Sequence, residues 1–80
     1  MVLHMTNTVD ELVEMRDMLK DGRARQIRER CGLSASAVAR DLKVTPGAVL
    51  MWERGTRAPS GSNALRYARM LRRLAAKARS

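Results

Sequence analysis

Apolar residues recur at helical spacing in five successive stretches, each bounded by a cap or a breaker. The densest runs from residue 33 to residue 55. Val38 and Leu42 stand four apart, Val49 and Trp52 three apart, and Val44 falls between the pairs. Ser34 is a good N-cap, and residues 35–42 follow with no breaker. Thr45 is a second N-cap, with Pro46 at the first helical position, where its missing N–H costs nothing. Gly55 stops the second helix as a C′ residue. Ala39, beside Val38, allows the two helices to approach closely, and Val44 plugs the turn. The pattern predicts two short helices joined by a tight turn.

The flanking stretches read as three further helices. Thr8-x-x-Glu11 is a capping box that opens a helix over residues 9–20. Val9, Leu12, Val13, Met15, Met18 and Leu19 give that helix a broad apolar face. Its acidic start and Lys20 at its end both complement the helix dipole. Residues 1–7 are expected to be loose. Asp21-Gly22 breaks the helix, and Asp21 can cap the next, over about residues 22–31. There Ala24, Ile27 and Cys31 share one face, Cys31 as a small buried hydrophobe, and Gly32 closes the element. Residues 55–61 form a loop containing Pro59. Ser60 or Ser62 then caps a last helix over about residues 62–78. Ala64, Tyr67, Ala68, Met70, Leu71, Leu74, Ala75 and Ala78 share its apolar arc. Arg66, Arg69, Arg73 and Lys77 form a stripe opposite, with no acidic residue in the helix. The last four residues are expected to fray.

Two helices pinned at a steep angle, as over 33–55, make a helix-turn-helix, whose second helix can enter a DNA major groove. Charge agrees with that reading. The 80 residues carry sixteen Lys+Arg against eight Asp+Glu, a net +8, and such a balance favours a polyanionic partner, most often nucleic acid. The distribution is uneven. Residues 1–21 hold Asp10, Glu11, Glu14, Asp17 and Asp21 against Arg16 and Lys20, so the basic excess lies in the rest of the chain. The base-binding surface is therefore expected outside the N-terminal segment.

Other chemistry finds little support. With Cys31 alone, no intrachain disulfide is possible, which fits a reducing cytoplasm. His4 is the one histidine, so no metal site is expected. No apolar run approaches a membrane span and no signal-peptide pattern opens the chain. One Trp, one Tyr and no Phe give poor support to base stacking on aromatic platforms. No nucleophile–base constellation points to an enzyme, and no cofactor is expected. A chain this short has a limited core and often gains stability by oligomerising.

Residues 33–55 resemble the helix-turn-helix of the Cro/phage-repressor (XRE-like) family. The resemblance rests on Gly32-Leu33-Ser34, Val38-Ala39, Leu42-x-Val44-Thr45 and Trp52-Glu53-Arg54-Gly55, followed by Arg57-Ala58-Pro59-Ser60. Ile27-Arg28-Glu29-Arg30 also fits, and the likeness extends over roughly residues 23–74. It implies an all-α, five-helix, lambda-repressor-like fold, with the helix-turn-helix DNA-binding domain over residues 22–80 and an extra acidic N-terminal helical extension over residues 1–21. Arg28 then matches the position that pairs with the glutamate of the Trp-Glu motif, here Glu53. The extra helix is not required by the family, and two readings of it stay open, a cap on the core and a dimerisation helix, with recruitment of a basic partner as a third.

The resemblance also assigns DNA-contacting positions. Ser34 and the start of its helix lie against the backbone, where N-terminal N–H groups suit a phosphate. The family commonly has Gln next; here Ala35 loses that contact and Ser36 is the available substitute. Arg40 and Lys43 point towards the backbone, and Arg54, Thr56 and Arg57 follow the reading helix at phosphate positions. Base reading falls to Pro46, Gly47, Leu50 and Met51, with Thr45 at the helix entrance. The family usually places Gln, Ser, Asn, Arg or Lys there. None of these four has a side-chain donor or acceptor, so bidentate hydrogen bonds to purines are unavailable from them. Contacts to thymine methyls, the Thr45 hydroxyl, close approach at Gly47 and shape readout remain. Leu50 and Met51 facing the core or a protein partner is the alternative. Lys43 stands where the family usually has glycine. The function implied is sequence-specific binding of a double-stranded DNA operator by a homodimer in the bacterial cytoplasm, as a Cro-like repressor. An antitoxin, an excision-control protein or a protein-interaction module on the same fold are the alternatives.

Overall fold

The chain is described by a computed structural model over residues 7–79. Its helices are α1 (Thr8–Lys20), α2 (Arg23–Arg30), α3 (Ala35–Leu42), α4 (Pro46–Arg54) and α5 (Gly61–Ala78), with no strand among the described residues. The expectations for residues 1–6, His4 included, lie outside the described residues.

Each boundary has a local cause. The Ser34 hydroxyl accepts the Ala37 N–H at 3.0 Å, and the Thr45 hydroxyl accepts that of Ala48 at 3.1 Å. Both helices of the central pair are thus capped by their own first hydroxyl. Gly55 closes α4 at φ 78, a left-handed conformation that costs glycine little. At the other boundaries the caps differ from those expected. Asn7, not Thr8, caps α1, its side chain accepting the Asp10 N–H at 2.9 Å. The capping box does not close, because Glu11 turns away to Arg69 of α5, 3.1 Å off. Gly22 occupies the N-cap of α2, and Asp21 serves from one residue earlier by accepting the Arg23 N–H at 3.0 Å. That backbone hydrogen bond, with Arg23 charge beside it, holds the Asp21 carboxyl below its usual range. Ser60 stands at the N-cap of α5 without a side-chain hydrogen bond. The helix continues through Ala78.

The core lies where α5 crosses the other helices. Met15 and Met18 of α1, Val38, Ala39 and Leu42 of α3, and Val49 and Trp52 of α4 meet Tyr67, Ala68, Met70 and Leu71 of α5. With no Phe to fill volume, Trp52 and Tyr67 pack as a tilted pair, ring centroids 5.0 Å apart. Such a pair adds about 1 kcal/mol beyond its buried area. Cys31 is only half-buried, its thiol donating to the Leu74 carbonyl at 3.5 Å. The apolar face expected of α1 is narrower than the sequence suggested, for Val9 and Val13 are 66% and 51% exposed. Met15 and Met18 are nevertheless buried, so α1 covers the core.

Ion pairs add register to this packing. Arg69 and Arg72 of α5 meet Glu11 and Glu14 of α1 at 3.1 and 3.0 Å. Arg66 instead donates to the Asp41 and Leu42 carbonyls, at 3.0 and 3.1 Å, satisfying acceptors that the end of α3 leaves open. Two members of the expected basic stripe are therefore occupied inside the fold.

Candidate nucleic-acid interface

The α3–α4 pair is held by its turn and by one ion pair. Lys43 takes φ 60, ψ 43, the left-handed conformation, which costs a side-chain-bearing residue about 1 kcal/mol. In return its N–H reaches the Arg40 carbonyl and that of Val44 reaches the Ala39 carbonyl, at 3.2 and 3.0 Å. The half-buried Val44 is thereby pressed against the core. Behind the pair, Arg28 of α2 grips Glu53 of α4 through two hydrogen bonds, Nε to Oε2 at 2.6 Å and Nη2 to Oε1 at 3.0 Å. A third, from Nη1 to the Leu33 carbonyl at 2.9 Å, ties down the entrance to α3. The two side chains are 11% and 3% exposed. The hydrogen bond to Glu53 raises the Arg28 pKa above its ordinary value, against the cost of burial.

With α4 fixed this way, its two faces divide sharply. Val49 and Trp52 are buried and Ala48 packs against the core. Pro46 and Gly47 are exposed, Leu50 and Met51 half-buried, and neither of the last two belongs to the core cluster. Thr45 is exposed at the helix entrance; its oxygen accepts from Ala48, which leaves its hydroxyl proton free to donate. A Cβ added at Gly47 would meet nothing closer than the Thr45 hydroxyl at 4.0 Å.

The remaining predicted contact positions precede and follow α4 along the chain. Ser34 and Ser36 are exposed at the start of α3, where the Ala35 and Ser36 N–H groups precede the first intrahelical bond. Arg40, Lys43, Arg54 and Arg57 are all exposed, and none makes an ion pair among the described residues. Thr56 is exposed but committed: its N–H and hydroxyl both donate to the Met51 carbonyl, at 3.0 and 3.2 Å. Thr56 thereby helps to close α4.

A family model described as Helix-turn-helix matches residues 25–75, a span from α2 to the last turns of α5. The chain belongs to the XRE/Cro-like helix-turn-helix family. No curated protein and no solved structure matches it. As a member of this family the chain is a DNA-binding helix-turn-helix regulator. The family match begins beyond α1. No helix of the described residues is long and apolar enough to cross a membrane.

Proposed function

We propose that the chain is a Cro-like repressor that binds a specific double-stranded operator as a homodimer, with α4 in the major groove. One observation carries the reading. Pro46, Gly47, Leu50 and Met51 lie on α4 outside the core cluster, and the exposed, unpaired cations Arg40 and Lys43 precede them along the chain while Arg54 and Arg57 follow. The cations suit phosphates on either side of a groove, and the centre suits thymine methyls and close backbone approach. Gly47 supports this. Its backbone is ordinary helix and the space around it is open, so the fold has no need of glycine there. Glycine within a helix costs up to about 1 kcal/mol against alanine, and close contact with a base edge would explain that cost. Ser34 and Ser36 would hold a phosphate at the start of α3, Thr45 would donate to the groove, and a two-fold dimer would read half-sites about one helical turn apart. Repression would follow from occupying the promoter.

In-vitro selection of bound duplexes at stated salt tests the proposal. Enriched two-fold symmetric sites support it. Arg40→Ala or Arg54→Ala should weaken binding to every sequence and each lower the salt slope by about 0.9 per protomer, or about 1.8 for a bound dimer, whereas Met51→Ala should change preference at thymine-containing positions. No enrichment, with Leu50 and Met51 instead buried against a protein, would move the chain to the protein-interaction reading.

A further inference from the structure

A groove of about 220 Å³ runs between the end of α1, the end of α4 and the loop that follows it. Leu19, Trp52 and Pro59 contribute its apolar part, and Arg16, Lys20 and Arg57 its cations. No acidic residue lines it. Asp17 shares the helix with Arg16 and Lys20 but makes no contact with the groove and no ion pair with either. The three cations are exposed and unpaired among the described residues, and Trp52, Gly55 and Arg57, at and just beyond the end of α4, form one side of the groove.

We infer that this groove is a backbone clamp for duplex DNA, in which Arg16 and Lys20 of α1 bind phosphates beyond those held by the helix-turn-helix itself. The inference rests on the DNA-binding reading and extends it to a helix outside the family match. The chemistry fits a phosphodiester strand, which alternates anionic phosphates with apolar deoxyribose edges. Three cations around an apolar floor offer a partner to each. The α1 acids do not oppose this, because the helix sorts its charges. Glu11 and Glu14 face α5 and are neutralised by Arg69 and Arg72. Asp21 is engaged by Arg23. Arg16 and Lys20 are left together beside Arg57. A segment that is acidic in total thus turns a basic edge towards the loop after α4.

The test uses the full chain and a fluorescein-labelled mixed-sequence duplex, with the dissociation constant measured across a salt series. Arg16→Gln/Lys20→Gln should lower the slope of log K against log salt by about 1.8 per bound protomer, and each single change by about 0.9 per protomer. Both side chains are exposed, so far-UV circular dichroism and the thermal midpoint should stay unchanged. Arg30→Gln, an exposed cation of α2 outside the groove, controls for net charge and should move the slope far less. An unchanged slope in the double variant, with Arg54→Ala still lowering it, overturns the clamp and leaves the helix-turn-helix reading standing. A slope loss in Arg30→Gln equal to that of either groove variant also overturns it, since bulk charge would then suffice. If the unaltered protein shows no salt-dependent binding, the DNA-binding reading itself fails and the clamp with it.

Discussion

Arg28→Met should unfold a large part of this protein's stability reserve, although it removes one charge from a surplus of cations. The change strands Glu53, whose side chain is 3% exposed, without its ion-pair partner, and it takes the donor from the Leu33 carbonyl. Breaking a buried pair from one side costs about 3–5 kcal/mol, because the remaining charge must stay desolvated and uncompensated. A domain of this length has a total stability of roughly 4–12 kcal/mol, so the loss is a quarter of it or more. Replacing both partners is different. In Arg28→Met/Glu53→Leu no charge is stranded, and apolar groups of similar volume fill the site. The double variant should recover at least half of what the single one loses, a coupling of at least about 2 kcal/mol.

Urea denaturation read from Trp52 fluorescence suits the measurement, with far-UV circular dichroism as a second probe. Urea is preferable to guanidinium, which as a salt would screen charges elsewhere on this cationic chain. Trp52 is a good reporter, since it is buried against Tyr67 and loses that neighbour on unfolding. Coincident transitions with an unchanged m value would license the comparison. An Arg28→Met cost below about 1 kcal/mol, or a double variant no better than the sum of the singles, would show that the pair is not the constraint described.

Met15→Ala should cost about 2–5 kcal/mol by opening a cavity under α5, and deleting residues 1–20 should leave an unfolded chain; a folded truncated monomer by circular dichroism would show that α1 is dispensable to the core. Lys43→Gly should stabilise the fold by about 1 kcal/mol in urea, by relieving the left-handed strain, while weakening DNA binding; tighter binding together with the added stability would remove Lys43 from the phosphate contacts. Burial, with the Glu53 carboxylate adding to it, holds the Tyr67 phenol neutral well above its ordinary range. The unfolded chain releases that proton near pH 10, so stability is full below that pH and falls as pH rises past it. Tyr67→Phe should flatten the alkaline limb of the melting-temperature profile, and superimposable limbs would show that the phenol does not carry it.

The scaffold was readable wherever the fold restricts residue type. The Ser34 and Thr45 caps, Pro46 at the first turn of α4 and glycine after its last all solve problems local to a few residues, so the sequence displays them directly. The expected closeness of Arg28 and Glu53 came by resemblance, since nothing in their separation along the chain brings them together. The α1–α5 contact was not seen, yet its signal was present. Glu11 and Glu14 are three apart on one helix, and Arg69 and Arg72 are three apart on another that contains no acid. Complementary charges at equal helical spacing mark facing elements. The α1 cap was misplaced for the same reason. Thr8 and Glu11 satisfy a capping box locally, but the long-range partner of Glu11 is the stronger claimant, and Asn7 supplies the cap instead.

Positions that a fold leaves unconstrained are harder to read, and here they are the ones that carry function. Leu50 and Met51 are neither core nor cap, and no rule of helix formation selects them over glutamine or arginine. Their meaning comes from the surroundings that the structure supplies: exposed cations without ion pairs before and after them along the chain, and a glycine placed where alanine would fit. Those two facts bear on the same surface from opposite directions. Unpaired cations raise the electrostatic self-energy of the folded chain, and an optional glycine lowers its helix stability. A protein selected for folding alone would avoid both. Their concentration around one helix face, while Glu11, Glu14, Glu29 and Glu53 are each matched to an arginine elsewhere, is what an anionic partner at that face would account for.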